Sequence, residues 1–336
     1  MRVLVTGSAG FIGFHVAQRL LQRGDEVVGI DGFTPYYDPA LKRMRHAQLA
    51  QFPKFQAHEF LLEDNAKVED LYRQGFDAVY HFAAQAGVRY SLENPRAYVE
   101  ANLVGTFNLL EAMRQAPPQH ALLASTSSVY GANTSIPFRE TDHADHPLTL
   151  YAATKKSAEE MAHSYSHLFA IPTTMLRFFT VYGPWGRPDM ALFKFVAAMA
   201  EDRPIDIYNY GKMQRDFTYI DDLVEAMLRL LPVIPPSPSA RSGTASAIDS
   251  LSPQAAWRVV NIGAGSPVGL EEFVNAVEKA CGQTARRNYM EMQKGDVPTT
   301  FANTDLLHAL TGYRPSTPVE TGVAAFVKWY RSFRPI

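Results

Sequence analysis

The apolar run Arg2-Val3-Leu4-Val5-Thr6 passes directly into Gly7-Ser8-Ala9-Gly10-Phe11-Ile12-Gly13, and a helical pattern follows with Phe11, Val16, Leu20 and Leu21 on one side. No other stretch restricts the fold as much. A short, continuously apolar run reads as a strand buried on both faces, as in a parallel sheet covered by helices. Glycines between such a strand and a helix permit a tight turn, close approach of a pyrophosphate and close helix–strand packing. The helix N-terminus adds amide donors and a favourable dipole for an anion. The spacing is G-x-x-G-x-x-G rather than G-x-G-x-x-G, so a plain glycine-rich turn is the competing reading.

Alternation continues along the first half. Glu26–Asp31 reads as the second strand, Ala78–Phe82 and Ala121–Ser125 as further short apolar runs, and Pro95–Gln115 and Thr149–Phe169 as long helices. Strands alternating with helices predict a Rossmann-type, doubly wound parallel sheet with helices on both faces. The pattern changes after about Gly183, with Ile205–Tyr208 reading as a strand and Asp221–Leu231 as a helix. The Pro-, Ser- and Ala-rich stretch around 232–254 has no periodicity and predicts a flexible surface excursion. There is no internal repeat. The expected plan is a nucleotide-binding domain over 1–182, with part of the later chain returning to it, and a smaller α/β C-terminal lobe over 183–336 that takes the substrate.

A net charge of -2 gives no reason to expect a nucleic-acid partner. Cys281 is the single cysteine, so no intramolecular disulfide and no cysteine zinc cluster can form, and it reads as a packing residue. His163 and His167 lie one helical turn apart but lack the Glu of H-E-x-x-H, so a helix face is expected rather than a metal pair. Glu159-Glu160 reads as a solvated helix face. No apolar stretch approaches the ~20 residues of a spanning helix, and the chain enters its first strand at Arg2. A cytoplasmic protein with no membrane partner and no metal is expected.

Two polar segments carry chemistry: Ser125-Thr126-Ser127-Ser128-Val129-Tyr130-Gly131 and Tyr151-Ala152-Ala153-Thr154-Lys155. Tyr151 and Lys155 share a helix face. A phenol beside an ammonium can serve as a base near neutral pH, because positive charge favours the phenolate. A Thr126 hydroxyl would complete a proton relay able to deprotonate a sugar or alcohol while hydride leaves its carbon. Asp31, ending the second strand, suits the ribose hydroxyls of an adenosine and would repel a 2′-phosphate, favouring NAD over NADP. A simple turn residue before Gly32 is its alternative.

Together these segments resemble the extended short-chain dehydrogenase/reductase family over nearly the whole chain. The resemblance rests on TGSAGFIG, HFAAQA from His81 to Ala86, Asn102 in EANLVGT, STSSVYG, YAATK, and RDFTYIDD from Arg215 to Asp222. AGVRYS from Ala86 to Ser91, FTVYGPWGRPDM from Phe179 to Met190 and the Pro/Ser-rich insertion are similar to the UDP-glucuronate 4-epimerase branch. The resemblance implies a catalytic triad of Thr126, Tyr151 and Lys155. It implies tightly bound NAD, regenerated each turnover, held by Gly7, Gly10, Phe11, Ile12, Gly13 and Asp31. Ala83, Ala84 and Gln85 would lie along it, Asn102 nearby, and Lys155 on the nicotinamide ribose. Arg215 resembles the family's diphosphate arginine and Asp296 an acid near the UDP portion. Phe193–Val196 and Ile205–Tyr208 either flank uracil or pack in the core. The long helices would form a homodimer bundle. One departure concerns the adenine: the family's acid is replaced by Leu61 in Leu61-Leu62-Glu63-Asp64, which leaves Asp64 as substitute candidate.

The implied reaction inverts C4 of a UDP-hexuronic acid, interconverting UDP-glucuronate and UDP-galacturonate through a 4-keto sugar. That intermediate is a β-keto acid, able to lose carbon dioxide when its C5–carboxylate bond aligns with the ketone π system. The carboxylate must be held out of alignment. Hydroxyls at Ser127, Ser128 and Thr180 suit this, and Arg187 or Arg89 would add a charge-assisted contact. For the serines the alternative is backbone satisfaction at a strand end; for Arg187 it is a diphosphate or a structural acid. A 4,6-dehydratase would carry an Asp-Glu pair where Ser127 and Ser128 stand. A UDP-glucuronate decarboxylase, a UDP-glucose or UDP-N-acetylhexosamine(uronate) 4-epimerase and a non-enzymatic NAD(P)-binding sensor complete the alternatives.

Overall fold

The computed structural model describes residues 1–241 and 248–334. Its strands are β1 (Arg2–Thr6), β2 (Glu26–Asp31), β3 (Phe55–Glu59), β4 (Ala78–His81), β5 (His120–Thr126), β6 (Thr173–Phe178), β7 (Thr180–Tyr182), β8 (Ile205–Ile207), β9 (Gln214–Tyr219), β10 (Trp257–Ile262), β11 (Pro267–Gly269), β12 (Arg287–Tyr289) and β13 (Thr299–Thr300). Seven form one parallel sheet in the order β10-β6-β5-β4-β1-β2-β3. This is a Rossmann-type α/β fold.

Each strand's alternation feeds two cores. Val3 and Val5 face the layer made by helices Phe11–Gln22 and Ile220–Leu230, where Phe14, Leu20 and Val224 are buried. Leu4 points the other way, toward Leu71, Leu109 and Met113 of helices Asn65–Tyr72 and Gly105–Gln115. A third core joins helices Ala191–Ala200, Leu270–Cys281 and Val319–Phe333, with Phe193, Phe217, Phe273 and Phe326 at its centre. There β9 pairs with β7 and β13 in parallel and with β11 antiparallel, and β8 pairs with β12. Cys281 packs at the edge of that core.

Strand order reverses between β1 and β4, which opens a crevice beyond their C-terminal ends. Thr6, Asp31, His81 and Thr126 all end strands at this rim. The segment from Pro95 to Gln115 is helical throughout but widens to π geometry over Val99–Val104. Such bulges often sit at functional sites, and this one carries Asn102. Helix Leu150–Phe169 starts at Thr149, whose hydroxyl accepts from Ala152 N at 3.2 Å.

Of the Pro/Ser-rich stretch around 232–254, residues 242–247 lie outside the described residues. Its flanks are held by specific bonds: Arg241 donates to Ala255 O at 2.7 Å, and Asp249 pairs with buried Arg258 at 3.4 Å. His163 and His167, read from sequence as an open helix face, anchor this segment instead. His163 Nε2 meets Ser252 Oγ at 2.7 Å and His167 Nδ1 meets Gln254 O at 2.8 Å.

Candidate active site

The glycine turn is shaped by backbone contact. Gly7 has φ +70, and a Cβ there would lie 2.8 Å from Ala83 N. A Cβ on Gly13 would collide with Gly7 O, so no side chain fits between turn and helix. Gly7, Gly10, Phe11, Ile12 and Gly13 line one end of a long cleft, and Asp31, Ala83, Ala84 and Gln85 line its wall. Asp31 accepts from Ala9 N at 3.1 Å and Phe33 N at 2.8 Å, with Lys42 Nζ 3.6 Å away. Its carboxylate therefore braces the turn as well as facing the cleft. Asn102 itself is buried behind the wall. It binds Gln85 N at 2.8 Å and Thr154 Oγ1 at 3.0 Å, tying that wall to helix Leu150–Phe169. A bare glycine cradle, a helix N-terminus and an acid at the end of β2 fit a dinucleotide.

Leu61 and Glu63, in the segment where the sequence places the adenine, line the cleft. Asp64, the substitute candidate, is not on the cleft wall. It caps helix Asn65–Tyr72, accepting from Lys67 N at 3.3 Å and pairing with Lys67 Nζ at 2.8 Å. Glu63 is the carboxylate on the wall, and burial pushes its acid upward.

Thr126, Tyr151 and Lys155 meet at the other end. Thr126 caps a short 3-10 turn over Ser127–Tyr130; its hydroxyl donates to Ser128 Oγ at 3.2 Å and accepts from Ser128 N at 3.2 Å. Burial pushes the Tyr151 phenol up, while a hydrogen bond with Thr126 and the charge of Arg187 draw it down. From sequence, Lys155 is the expected cation beside the phenol; the structure adds the charge of Arg187. Burial lowers Lys155 itself to about 8, opposed by the charge of Glu159. The ring of Tyr98, absent from the sequence reading, meets Tyr151 edge-on at 6.0 Å.

Arg187 lines the same cleft and is held bidentately by Asp189, at 3.0 and 2.6 Å, with the Tyr36 hydroxyl donating to Asp189 at 3.0 Å. Its structural-acid alternative therefore has a partner in the structure. Thr180 lines a smaller apolar cavity that shares Val181, Arg187 and Met190 with the main cleft and includes Phe193 and Phe217. Arg89, Arg215 and Asp296 gather elsewhere, outside both linings. Arg89 pairs with Asp296 at 3.3 Å and lies 4.7 Å over the Tyr208 ring. Burial lowers Arg215, with Asp296 and Arg89 the charges acting on it.

Glu159 corrects the reading of Glu159-Glu160 as one solvated face. Glu160 is exposed, but Glu159 is fully buried against Arg177. Among the described residues no three His, Cys, Asp or Glu side chains are grouped to hold a metal ion.

A parallel sheet with a dinucleotide cradle, and a Tyr–Lys–Thr group at the far end of the same cleft, defines a nucleotide-dependent enzyme that handles the proton of a hydroxyl. The chain belongs to the NAD dependent epimerase/dehydratase family, whose model matches residues 3–237. It is 61% identical over 331 residues to a probable UDP-glucuronate 4-epimerase of Rhizobium meliloti, covering 98% of this chain and 97% of that protein. It is 46% identical to UDP-glucuronate 4-epimerase 4 of Arabidopsis thaliana, over 98% of this chain and 75% of that protein. Its fold is similar to the UDP-glucuronic acid 4-epimerase of Bacillus cereus solved with UDP-glucuronic acid and NAD, with a TM-score of 0.86, 33% identity, and coverage of 99% of this chain and 100% of that chain.

Proposed function

We propose that this chain is an NAD-dependent UDP-glucuronate 4-epimerase, interconverting UDP-glucuronate and UDP-galacturonate through a transient 4-keto sugar. One observation carries the reading. Thr126 and Tyr151 meet at the end of a dinucleotide cleft, and the hydroxyl bonded to Thr126 is Ser128. A dehydratase needs acids where Ser127 and Ser128 stand. The relatives support the uronate: the Bacillus cereus enzyme is described with UDP-glucuronic acid and NAD.

When bound, NAD supplies reversible storage of the C4 hydride. Gly7, Gly10, Phe11, Ile12, Gly13 and Asp31 would hold it, with Ala83, Ala84 and Gln85 alongside. Tyr151 takes the O4 proton as phenolate and returns it after the sugar has turned over. Thr126 shares that proton through its hydrogen bond, and the Lys155 ammonium favours the phenolate. Ser127, Ser128 and Thr180 hold the uronate carboxylate out of line with the C4 ketone. Arg187, braced by Asp189, contributes positive charge at the same end. Arg215, Arg89 and Asp296 anchor the UDP, so that the sugar can rotate while its nucleotide stays.

The 183–336 segment would supply most of the UDP-sugar contacts. The enzyme would act as a cytoplasmic homodimer. No helix among the described residues is long and apolar enough to cross a membrane. Val99, Val104, Phe107 and Leu168 are exposed on the two long helices, which supports a helical dimer face.

The test is incubation of purified protein with UDP-glucuronate, with chromatography of the products. UDP-galacturonate without pentose is expected. A UDP-pentose as main product would refute the assignment.

A further inference from the structure

Tyr151, Lys155 and Glu159 stand at successive turns of one face of helix Leu150–Phe169. The first two reach the cleft. Glu159 lies one turn further in, fully buried. Arg177 on β6 grips it bidentately, Nε to Oε1 at 2.9 Å and Nη2 to Oε2 at 2.8 Å. Ser125 on β5 donates to the same Oε1 at 2.6 Å. Ser125 and Arg177 are cross-strand partners in the sheet, and Ser125 directly precedes Thr126.

We propose that Glu159 is a positioning residue for the reaction: its carboxylate clamps the end of β5, and so the Thr126 hydroxyl, against the helix of Tyr151, while placing a buried negative charge one turn below the Lys155 ammonium. The inference rests on the epimerase reading.

Stability gives a weak reason to keep such a group. Replacing a buried ion pair by apolar residues is often neutral or stabilising. This pair joins three elements that each carry part of the site. The charges around it are few. Arg177 faces Glu159 from β6, and Lys156 reaches it at 3.4 Å from its own helix. Tyr130 lies 4.7 Å from the Arg177 guanidinium, and the Glu140 carboxyl stands behind it on Asn261. Around Lys155 the other group is His81 on β4, held neutral between Thr6 and Thr106. Glu159 is the charge that supports the protonated Lys155, whose amine burial has lowered to about 8.

Three variants test this: Glu159→Gln, Glu159→Asp, and Glu159→Gln with Arg177→Gln. The double variant leaves no unpaired buried guanidinium if the single one does not fold. Two readouts are taken against pH: epimerisation kinetics, and retention of NAD by the purified holoenzyme. Glu159→Gln and the double variant should lower kcat by roughly 10- to 100-fold with KM within about 2-fold; Glu159→Gln should bring the alkaline limb roughly one pH unit lower, and the double variant, which also removes the Arg177 charge, should move it by less in the same direction. NAD release should begin at correspondingly lower pH. Glu159→Asp keeps the charge but shortens the clamp, so kcat should fall while the alkaline limb stays at the wild-type position. Folded Gln variants with the wild-type limb and wild-type NAD retention would overturn the proposal while leaving the epimerase reading intact. Wild-type protein inactive on UDP-glucuronate would refute that reading instead, and the retention profile would still decide the role of Glu159.

Discussion

At the scale of single residues, the proposed mechanism divides proton handling from carboxylate handling. Tyr151 is the proposed base. Tyr151→Phe should lower turnover by about 10³-fold, the range of a lost general base. Circular dichroism and bound NAD should be unchanged; near-normal turnover would remove Tyr151 from the mechanism. Ser128 has a different proposed task, at the carboxylate. It is bonded to Thr126 by both its amide and its hydroxyl, so its side chain is fixed relative to the proposed proton relay. Ser128→Ala should raise the ratio of UDP-pentose to UDP-galacturonate by about 10-fold, the worth of one hydrogen bond to a charged group. An unchanged product ratio would return Ser128 to a purely structural role. Residue chemistry was legible in sequence where it is local: Tyr151 and Lys155 are one turn apart, and Thr126 ends an apolar run. Glu159 was not legible, because its partner Arg177 comes 18 residues later and on another element. An acid beside a second acid on a helix reads as solvated until that arginine is in place.

At the scale of elements, buried polar networks stitch late segments to the sheet. Glu140 accepts from Asn261 N at 2.9 Å, and Asn261 accepts from Tyr130 at 2.6 Å, which joins the 138–140 segment to β10 and the turn after β5. Burial pushes the Glu140 carboxyl up to about 7, with the amide of Asn261 opposing. The folded state therefore binds the proton more tightly than the unfolded chain. Its contribution is fully present below the unfolded value of about 4.5 and is lost as pH rises through about 7. Relative to Glu140→Gln, the wild type should lose about 3 kcal/mol across that window. Denaturant melts of both proteins at stepped pH would show it, and a pH-independent difference would contradict it. Strands were legible in sequence in proportion to their burial. β1 is apolar and central. β3, FQAHE, is an edge strand with mostly exposed side chains and carries no apolar signature. β6, TTMLRF, is wholly buried yet half polar in composition, because Arg177 is neutralised by Glu159 and Thr174 meets His120 at 2.8 Å.

At the scale of the whole molecule, strand order places every proposed reacting group at one rim. The reversal between β1 and β4 opens the crevice, and β10 returns late in the chain to pair with β6 on the far edge. The alternation of strands and helices made the parallel sheet legible; the small sheet around β9 was not, since its partners are two- and three-residue strands far apart in sequence. The exposed Phe107 lies on one of the two helices proposed to pair between copies. Phe107→Glu should halve the mass seen by light scattering without loss of helix content, and an unchanged mass would place the interface elsewhere. In the proposed cycle, hydride leaves C4 and returns to the same carbon while the carboxylate is kept. UDP-glucuronate deuterated at C4, incubated with the purified enzyme and no added NAD, measures this directly. UDP-galacturonate that retains deuterium at C4 is expected. Loss of the label to solvent, or a UDP-pentose as the labelled product, would contradict it.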